Sequence, residues 1–144
     1  MKAADTGRTH ATTLTNDPDL QLLNLGASAT YAVDGMLFYT GGSGAAEGDF
    51  AWQFTLSAGS GGTYGDSHVS PAGNFGGFGG GAWTTNRGAQ TQGTSTVQVV
   101  MFAGSVTTGA AAPQYLILQW AQNTDTGTAT TLKAGSYLRA KRLA

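Results

Sequence analysis

The sequence of 144 residues contains no cysteine, and only 10% of its residues are charged, against roughly 25% in an ordinary globular protein. The absence of cysteine excludes a disulfide framework, a thiolate zinc site and a cysteine nucleophile. The densest apolar stretches, 97–104 and 115–121, are far shorter than the roughly 20 residues that span a bilayer as a helix. A net charge of −1 gives no electrostatic indication of nucleic acid or an anionic membrane as a partner.

Signals for targeting and for helices are also scarce. No apolar segment of the length of a signal peptide follows Lys2, so we expect a soluble protein that is made in the cytoplasm. Glycine, alanine, threonine and serine form just over half of the chain, and glycines interrupt almost every window in which a helical period could develop. Apolar residues still reach 40%, with three Trp, five Tyr and six Phe, which is enough for a sizeable core.

Alternation of apolar and polar residues predicts strands. The clearest case is 49–56, where Phe50, Trp52 and Phe54 share one face. In the first part of 30–39 apolar and polar residues also alternate, and the segment contains Gly35, where we expect a bulge or bend. Further strands are predicted at 19–25, 96–103, 114–122, 128–133 and 136–143. Because turn-forming residues separate these strands and no helix intervenes, the sequence predicts an all-β fold, a single antiparallel β-sandwich resembling a jelly roll. Candidates for its core are Tyr31, Phe50, Trp52, Phe54, Trp120 and Leu138.

Two segments do not follow this rhythm. Residues 1–18 are polar and rich in threonine, so we predict an extended N-terminal arm that precedes the sandwich domain at 19–144. Residues 57–93 are dominated by glycine, serine and threonine, and we predict one long insertion loop that is either functional or partly disordered. Its aromatic residues Phe75, Phe78 and Trp83 are the candidates for an outward contact.

Charged residues are distributed unevenly along the chain. No Lys or Arg occurs between Thr9 and Asn86, where six acidic residues lie, and four of the seven basic residues fall within the last twelve positions. Two interpretations stay open. The charges either form the solvated rims of the sandwich, or they form acidic and basic surfaces that meet in an oligomer or on a partner lattice.

No motif indicates catalysis. The glycine-rich run 73–83 has no lysine to bind phosphate and no following helix. Asp66, Ser67 and His68 are the residue types of a catalytic triad, but triad members are normally far apart in sequence. Two histidines do not form a strong metal constellation by themselves. We therefore expect no enzyme activity, no cofactor, no metal and no nucleic-acid partner.

Several segments carry a resemblance to a known family. They are Thr15-Asn16-Asp17-Pro18-Asp19-Leu20, Tyr31, Gly48-Asp49 with Phe54-Thr55, the Q-W-A-Q-N-T segment at 119–124 and the G-S-Y-L segment at 135–138. In these segments the chain resembles small structural proteins encoded by tailed phages of actinobacteria. The resemblance covers about half of the chain and skips 57–93.

The resemblance implies a virion component without catalytic residues, made in the host cytoplasm. The shortness of the chain favours a decoration (cement) protein on the head surface over a tail fibre, which would carry a long shaft. The partners would be the major capsid protein lattice and further copies of the chain in a homotrimer. The arm would dock on the capsid through its candidate residues Arg8, His10, Asp17 and Asp19. The alternative is a receptor-binding or carbohydrate-binding head domain on the tail or fibre, which would take a host-surface carbohydrate.

Overall fold

The computed structural model describes residues 1–42, 50–69, 75–89, 91 and 93–143, and every regular element in that part of the chain is a strand. The strands are β1 (Thr6–Arg8), β2 (Thr15–Leu25), β3 (Thr30–Thr40), β4 (Phe50–Leu56), β5 (Gly61–Val69), β6 (Phe75–Ala82), β7 (Arg87–Ala89), β8 (Gln98–Thr107), β9 (Gln114–Gln122), β10 (Thr130–Leu132) and β11 (Tyr137–Arg142). The predicted all-β fold is confirmed.

The strands form two antiparallel sheets. The larger sheet has the order β1-β10-β3-β8-β5-β6, and β11 also pairs with β3, so that β10 and β11 lie end to end along one edge of β3. The smaller sheet has the order β2-β9-β4-β7. Every connection from β1 to β5 and from β6 to β10 crosses between the sheets, whereas β5 and β6 form a hairpin within the larger sheet.

The core between the sheets is rich in aromatic side chains. Phe50 stacks on Tyr39 with ring centroids 4.7 Å apart and also packs against Trp120. Phe54 meets Trp83 at 4.9 Å and Phe102 at 5.1 Å with its ring nearly edge-on. These rings come from both sheets, because alternate residues of each strand point inward. The six core candidates (Tyr31, Phe50, Trp52, Phe54, Trp120 and Leu138) are all buried.

The interpretation of 57–93 as one insertion loop is wrong. The segment contains β5, β6 and β7. Strand β5 pairs with β8 from Gly61 to His68 and with β6 on its other side. Glycine has no side chain to reveal a period of two, but its backbone donates and accepts ladder hydrogen bonds like any other residue. Residues 70–74, 90 and 92 lie outside the described residues.

The interpretation of 1–18 as an arm separate from the sandwich is also wrong. Thr6–Arg8 forms β1, which pairs with β10 at one edge of the larger sheet, and β2 begins at Thr15. The backbone of Lys2 is held as well. Its N–H donates to the carbonyl of Ser136 (2.7 Å), and its carbonyl accepts from the N–H of Gly135 (3.0 Å). The described residues of this segment therefore belong to the domain.

The bulge expected at Gly35 is absent, because β3 pairs with β8 in continuous register from Thr30 to Tyr39. The glycine is required for a close approach instead. A Cβ atom at this position would overlap the ring of Phe102 and lie 2.5 Å from the carbonyl oxygen of Tyr137. Gly35 thus makes room on the inner face for an aromatic ring of the neighbouring strand.

We expect Gly35→Ala to lower the free energy of unfolding by about 1–3 kcal/mol, because the added methyl group overfills the core. Gly61→Ala is the matched control: it lies on β5 of the same sheet, and its Cβ would meet nothing within 4 Å. Urea unfolding of both variants measures the difference. Equal stabilities for the two variants would contradict the packing role of Gly35.

Candidate functional site

The carboxylate of Asp17 is the most highly coordinated polar group in the described interior. It lies where the register of β2 with β9 shifts between Asn16 and Gln21, and its side chain is fully buried. Its Oδ1 accepts from the backbone N–H groups of Asp19 (3.0 Å) and Leu20 (3.1 Å), the turn geometry typical of aspartate. Its Oδ2 accepts from Trp120 Nε1 (3.1 Å) and Lys2 Nζ (2.9 Å).

Lys2 supplies the positive charge that a buried carboxylate needs. Its side chain has no solvent exposure, and Nζ lies 2.9 Å from Oδ2 of Asp17 and 3.3 Å from Oδ2 of Asp19, whose side chain is 38% exposed. Desolvating a lysine is costly unless charged partners surround it. The backbone contacts of Lys2 with the 135–136 turn position the side chain for this role. Lys2, Asp17, Asp19 and Trp120 are called the anchor cluster below.

Arg8 covers the anchor cluster from outside. Its guanidinium carbon lies 3.9 Å from the centroid of the Trp120 ring, a cation–π contact, and Nη1 donates to the Trp120 carbonyl. Burial lowers the pKa of Arg8, and the charge of Asp17 partly opposes this shift. Arg8 therefore fixes the indole whose N–H points at Asp17.

A second ion pair joins the two sheets at the opposite edge. Asp66 on β5 is buried, and Arg87 Nη2 from β7 lies 2.9 Å from its Oδ1 and donates to Oδ2 at 3.2 Å. The guanidinium occupies the space over Gly79, where a Cβ atom would overlap it. Gly79 is directly opposite Asp66 in the β5–β6 hairpin, so the absence of a side chain there admits Arg87.

The three adjacent residues Asp66, Ser67 and His68 do not assemble into a triad. They lie on β5, where successive side chains point to opposite faces of the sheet. Asp66 is therefore on the inner face, and Ser67 is on the outer face. The described residues likewise contain no group of three potential metal ligands.

The outer face of the larger sheet carries an apolar patch. Met36 and Phe38 alternate with the buried residues of β3 and are only partly covered. Met36 pairs directly with Met101 of β8, and Phe38 pairs with Val99. We call these four side chains the outer patch. Because the neighbouring strands β3 and β8 both present apolar side chains in register, the patch is continuous across these two strands.

A hollow and an ion pair border the outer patch. The hollow has a volume of about 330 Å³, and its lining includes Gly65, Ser67 and Ala103 together with Met101 of the patch. Near the other side, Arg139 of β11 donates to both carboxylate oxygens of Asp34 (2.9 and 2.7 Å), and this contact raises the pKa of Arg139. The face therefore offers an apolar centre with charges of both signs at its margin.

The outer face of the smaller sheet differs in chemistry. Gln53 Nε2 donates to Gln119 Oε1 (2.7 Å), and Gln119 Nε2 donates to Asn16 Oδ1 (2.9 Å). This amide ladder runs across β4, β9 and β2. The two outer faces of the sandwich are thus an apolar one and a hydrogen-bonded polar one.

The sequence-predicted contact residues lie elsewhere than expected. Trp83 is buried (1% exposed), stacks on Tyr64 at 4.7 Å and donates its Nε1–H to the Ser105 carbonyl (2.7 Å). Its assignment as an outward contact is wrong, because the hairpin β5–β6 brings the next turn back over the core. Phe75 and Phe78 lie on β6, and their side chains are outside the described part of the chain.

The candidates for capsid docking are mostly engaged within the domain. Asp17 and Asp19 belong to the anchor cluster and Arg8 covers it, so these three residues do not lie on a free arm. His10 is the exception: its ring is 69% exposed and lies 2.7 Å from the carboxylate of Asp125. Sequence reasoning missed Lys2, Asp66 and Arg87. No local pattern in the sequence pairs Lys2 with Asp17, which lies 15 positions away.

Comparisons with known proteins give no family by which to assign the site: no family model, no curated protein and no solved structure matches the chain. Among the described residues there is no helix long and apolar enough to cross a membrane.

We expect Lys2→Met to lower the free energy of unfolding by about 3–5 kcal/mol, because it leaves the buried carboxylate of Asp17 without its cation. Lys133→Met is the control, since it removes a lysine from a solvent-accessible pair with Asp5 and should have a much smaller effect. Chemical denaturation of both variants tests this. An unchanged Lys2→Met protein would show that the anchor cluster does not stabilise the fold.

The raised pKa of Tyr64 predicts that the folded protein loses stability at high pH. Burial, together with the charge of Asp66, raises its pKa from 10.0 to about 12. Trp52 lies close enough to favour the ionised form weakly, but the hydroxyl and the indole N–H do not meet in hydrogen-bonding geometry.

Between pH 10 and about 12 the unfolded chain ionises this tyrosine while the folded chain keeps it protonated, so stability should fall as the pH rises through this window. Tyr64→Phe should hardly change the free energy of unfolding at pH 7, and it should reduce the loss of stability at high pH. Urea unfolding at pH 7 and within this window measures both effects. A decline as steep as in the wild type would assign the effect to other groups.

Proposed function

We propose that the chain is a non-enzymatic structural component of a phage virion, and specifically a decoration protein on the outer surface of the head. In this proposal three copies form a trimer on the major capsid protein lattice. The support from the sequence is the resemblance of the framework segments to small structural proteins of tailed phages. The support from the structure is the outer patch, an apolar face on an all-β domain.

The outer patch is assigned to contacts between copies of the chain. Met36, Phe38, Val99 and Met101 present apolar surface that is only partly covered within one copy. Asp34 and Arg139, next to the patch, give the same face both signs of charge, so that an acid of one copy can meet a base of its neighbour. The small residues Gly65 and Ala103 beside it leave room for a neighbouring side chain in the hollow.

We also propose that the sandwich is a jelly roll with an inserted hairpin. Without β5 and β6, the order β1-β10-β3-β8 faces the order β2-β9-β4-β7. Successive strands then alternate between the sheets, as in an architecture that combines two Greek keys. The β5–β6 hairpin extends the larger sheet beyond β8 and enlarges the face that carries the patch.

Docking on the capsid then depends on a face and not on a free arm. Residues 6–8 and 15–25 are strands of the two sheets, and in this proposal the contact with the lattice uses the surface of the folded domain. For the alternative of a carbohydrate-binding tail protein, the burial of Trp83 removes one of the three aromatic side chains that could stack on a sugar.

We expect the protein to be a trimer in light scattering coupled to size exclusion, and Met36→Asp to convert it to a monomer with little change in melting temperature. A carboxylate in the patch must be desolvated when copies associate. Leu23→Asp is the matched control, because Leu23 is an exposed apolar residue (56%) on the smaller sheet. A trimer that survives Met36→Asp would contradict the role of the patch.

Cryo-electron microscopy of virions in which this protein carries a label tests where the protein lies on the particle. Density at symmetry positions of the head surface supports decoration, and Met36→Asp should reduce the occupancy there while Leu23→Asp should not. Density confined to the tail would instead support the receptor-binding alternative.

A further inference from the structure

The anchor cluster holds the amine of Lys2 directly against the carboxyl group of Asp17. Lys2 Nζ lies 2.9 Å from Asp17 Oδ2, and neither side chain has any solvent exposure. A second carboxylate, that of Asp19, lies 3.3 Å from the same nitrogen. Two backbone N–H groups and the Trp120 indole hold the Asp17 carboxylate from other directions. These donors fix the Asp17 carboxyl group with its Oδ2 against the amine of Lys2.

We propose that Lys2 and Asp17 form an intramolecular amide bond between Nζ and Cγ, with Asp19 as the catalytic acid–base. In the interior, transfer of one proton along the Nζ–Oδ2 hydrogen bond converts the ion pair into a neutral amine and a carboxylic acid, because a low-dielectric environment disfavours separated charges. The amine then has a free electron pair, and the protonated carboxyl group has an electrophilic carbon. The two groups are already in contact, so the reaction is unimolecular.

The bond forms when the Nζ electron pair attacks Cγ of Asp17. Negative charge develops on Oδ1, which accepts from the N–H groups of Asp19 and Leu20 in the manner of an oxyanion hole. Asp19 takes the proton that Nζ releases and returns it to Oδ2. The Cγ–Oδ2 bond breaks, and Oδ2 leaves as water. The net change is one ammonium and one carboxylate to one amide and one water, without an oxidant or any other reactant.

The residue after Asp17 suppresses the main competing reaction. An aspartate can lose water by cyclising onto the backbone nitrogen of the next residue, but that nitrogen must carry a hydrogen. Pro18 has none. Cγ of Asp17 therefore remains available to Lys2. The product would close a covalent loop over 15 positions of sequence and would permanently fix the segment that contains β1.

The intact mass of the purified wild-type protein is the first test. We expect a mass lower by one water molecule than the mass of the sequence, under denaturing conditions. A mass equal to that of the sequence would overturn the proposal. This measurement needs no variant, so it does not depend on whether a substituted chain folds.

Digestion with trypsin locates the bond. No Lys or Arg lies between Thr9 and Asn86, so the denatured, unlinked chain gives separate peptides that end at Lys2, Arg8 and Arg87. In the linked chain, trypsin cannot cleave at the acylated Lys2, and the peptide that ends at Arg8 stays joined to the peptide 9–87. Loss of water without this linkage would place the dehydration at another residue and would also overturn the proposal.

Two variants distinguish formation of the amide bond from the effect of a positive charge beside Asp17. Lys2→Arg keeps a cation beside Asp17 but has no nucleophilic amine, so its mass should equal that of its sequence. Asp19→Asn keeps both reacting groups and should slow formation of the bond by about a hundredfold or more, so that freshly purified protein contains unlinked chain that becomes linked on storage. Full linkage in fresh Asp19→Asn protein would show that Asp19 has no catalytic role, and water loss in Lys2→Arg would refute the Lys2–Asp17 bond.

Discussion

A carboxylate that enters a protein interior must find a cation and enough hydrogen-bond donors, and the fold of this chain meets that requirement at Asp17. The four donors come from Lys2, from Trp120 of β9, and from two backbone groups of β2 itself. The side chain of Asp17 turns inward at the point where the register of β2 with β9 shifts. The requirement therefore links the irregularity of one strand to the position of the N-terminal segment. Buried ion pairs contribute little net stability compared with an apolar pair, so the cluster specifies which segment docks here more than how strongly the domain is held.

Glycine residues in the sheets make room for side chains of neighbouring strands. At Gly35 and Gly79 the missing side chain makes room for a ring or a guanidinium from a neighbouring strand. The aromatic side chains between the sheets can then pack closely, since a methyl group at either position would push its neighbour away. In the β5–β6 hairpin the same residue type leaves the strands without an apolar period, and their position is set by backbone pairing with β8.

The parts of the fold that could be predicted are those in which side chains alternate. The predicted strand 114–122 coincides with β9 (Gln114–Gln122), and the inward face of β4 follows from the spacing of Phe50, Trp52 and Phe54. Strand β6 could not be predicted, because five glycines in Phe75–Ala82 give no periodic signal. The anchor cluster could not be predicted either: the contact between Lys2 and Asp17 depends on the path of the intervening chain, which no local pattern encodes. The outer patch is an intermediate case. Met36 and Phe38 alternate with buried residues, but apolar residues on both faces of a strand do not reveal which face is covered.

The attachment of Lys2 also determines how the domain would respond to mechanical force. A pull on the first residue reaches Lys2, whose backbone is bonded to the 135–136 turn beside the larger sheet and whose side chain is held by β2 of the smaller sheet. The load is therefore divided between both sheets at a single residue. Strand β1 has only three residues, and among the described strands it pairs with β10 alone. It follows this attachment point in the chain. This short strand is thus shielded from tension as long as Lys2 stays attached.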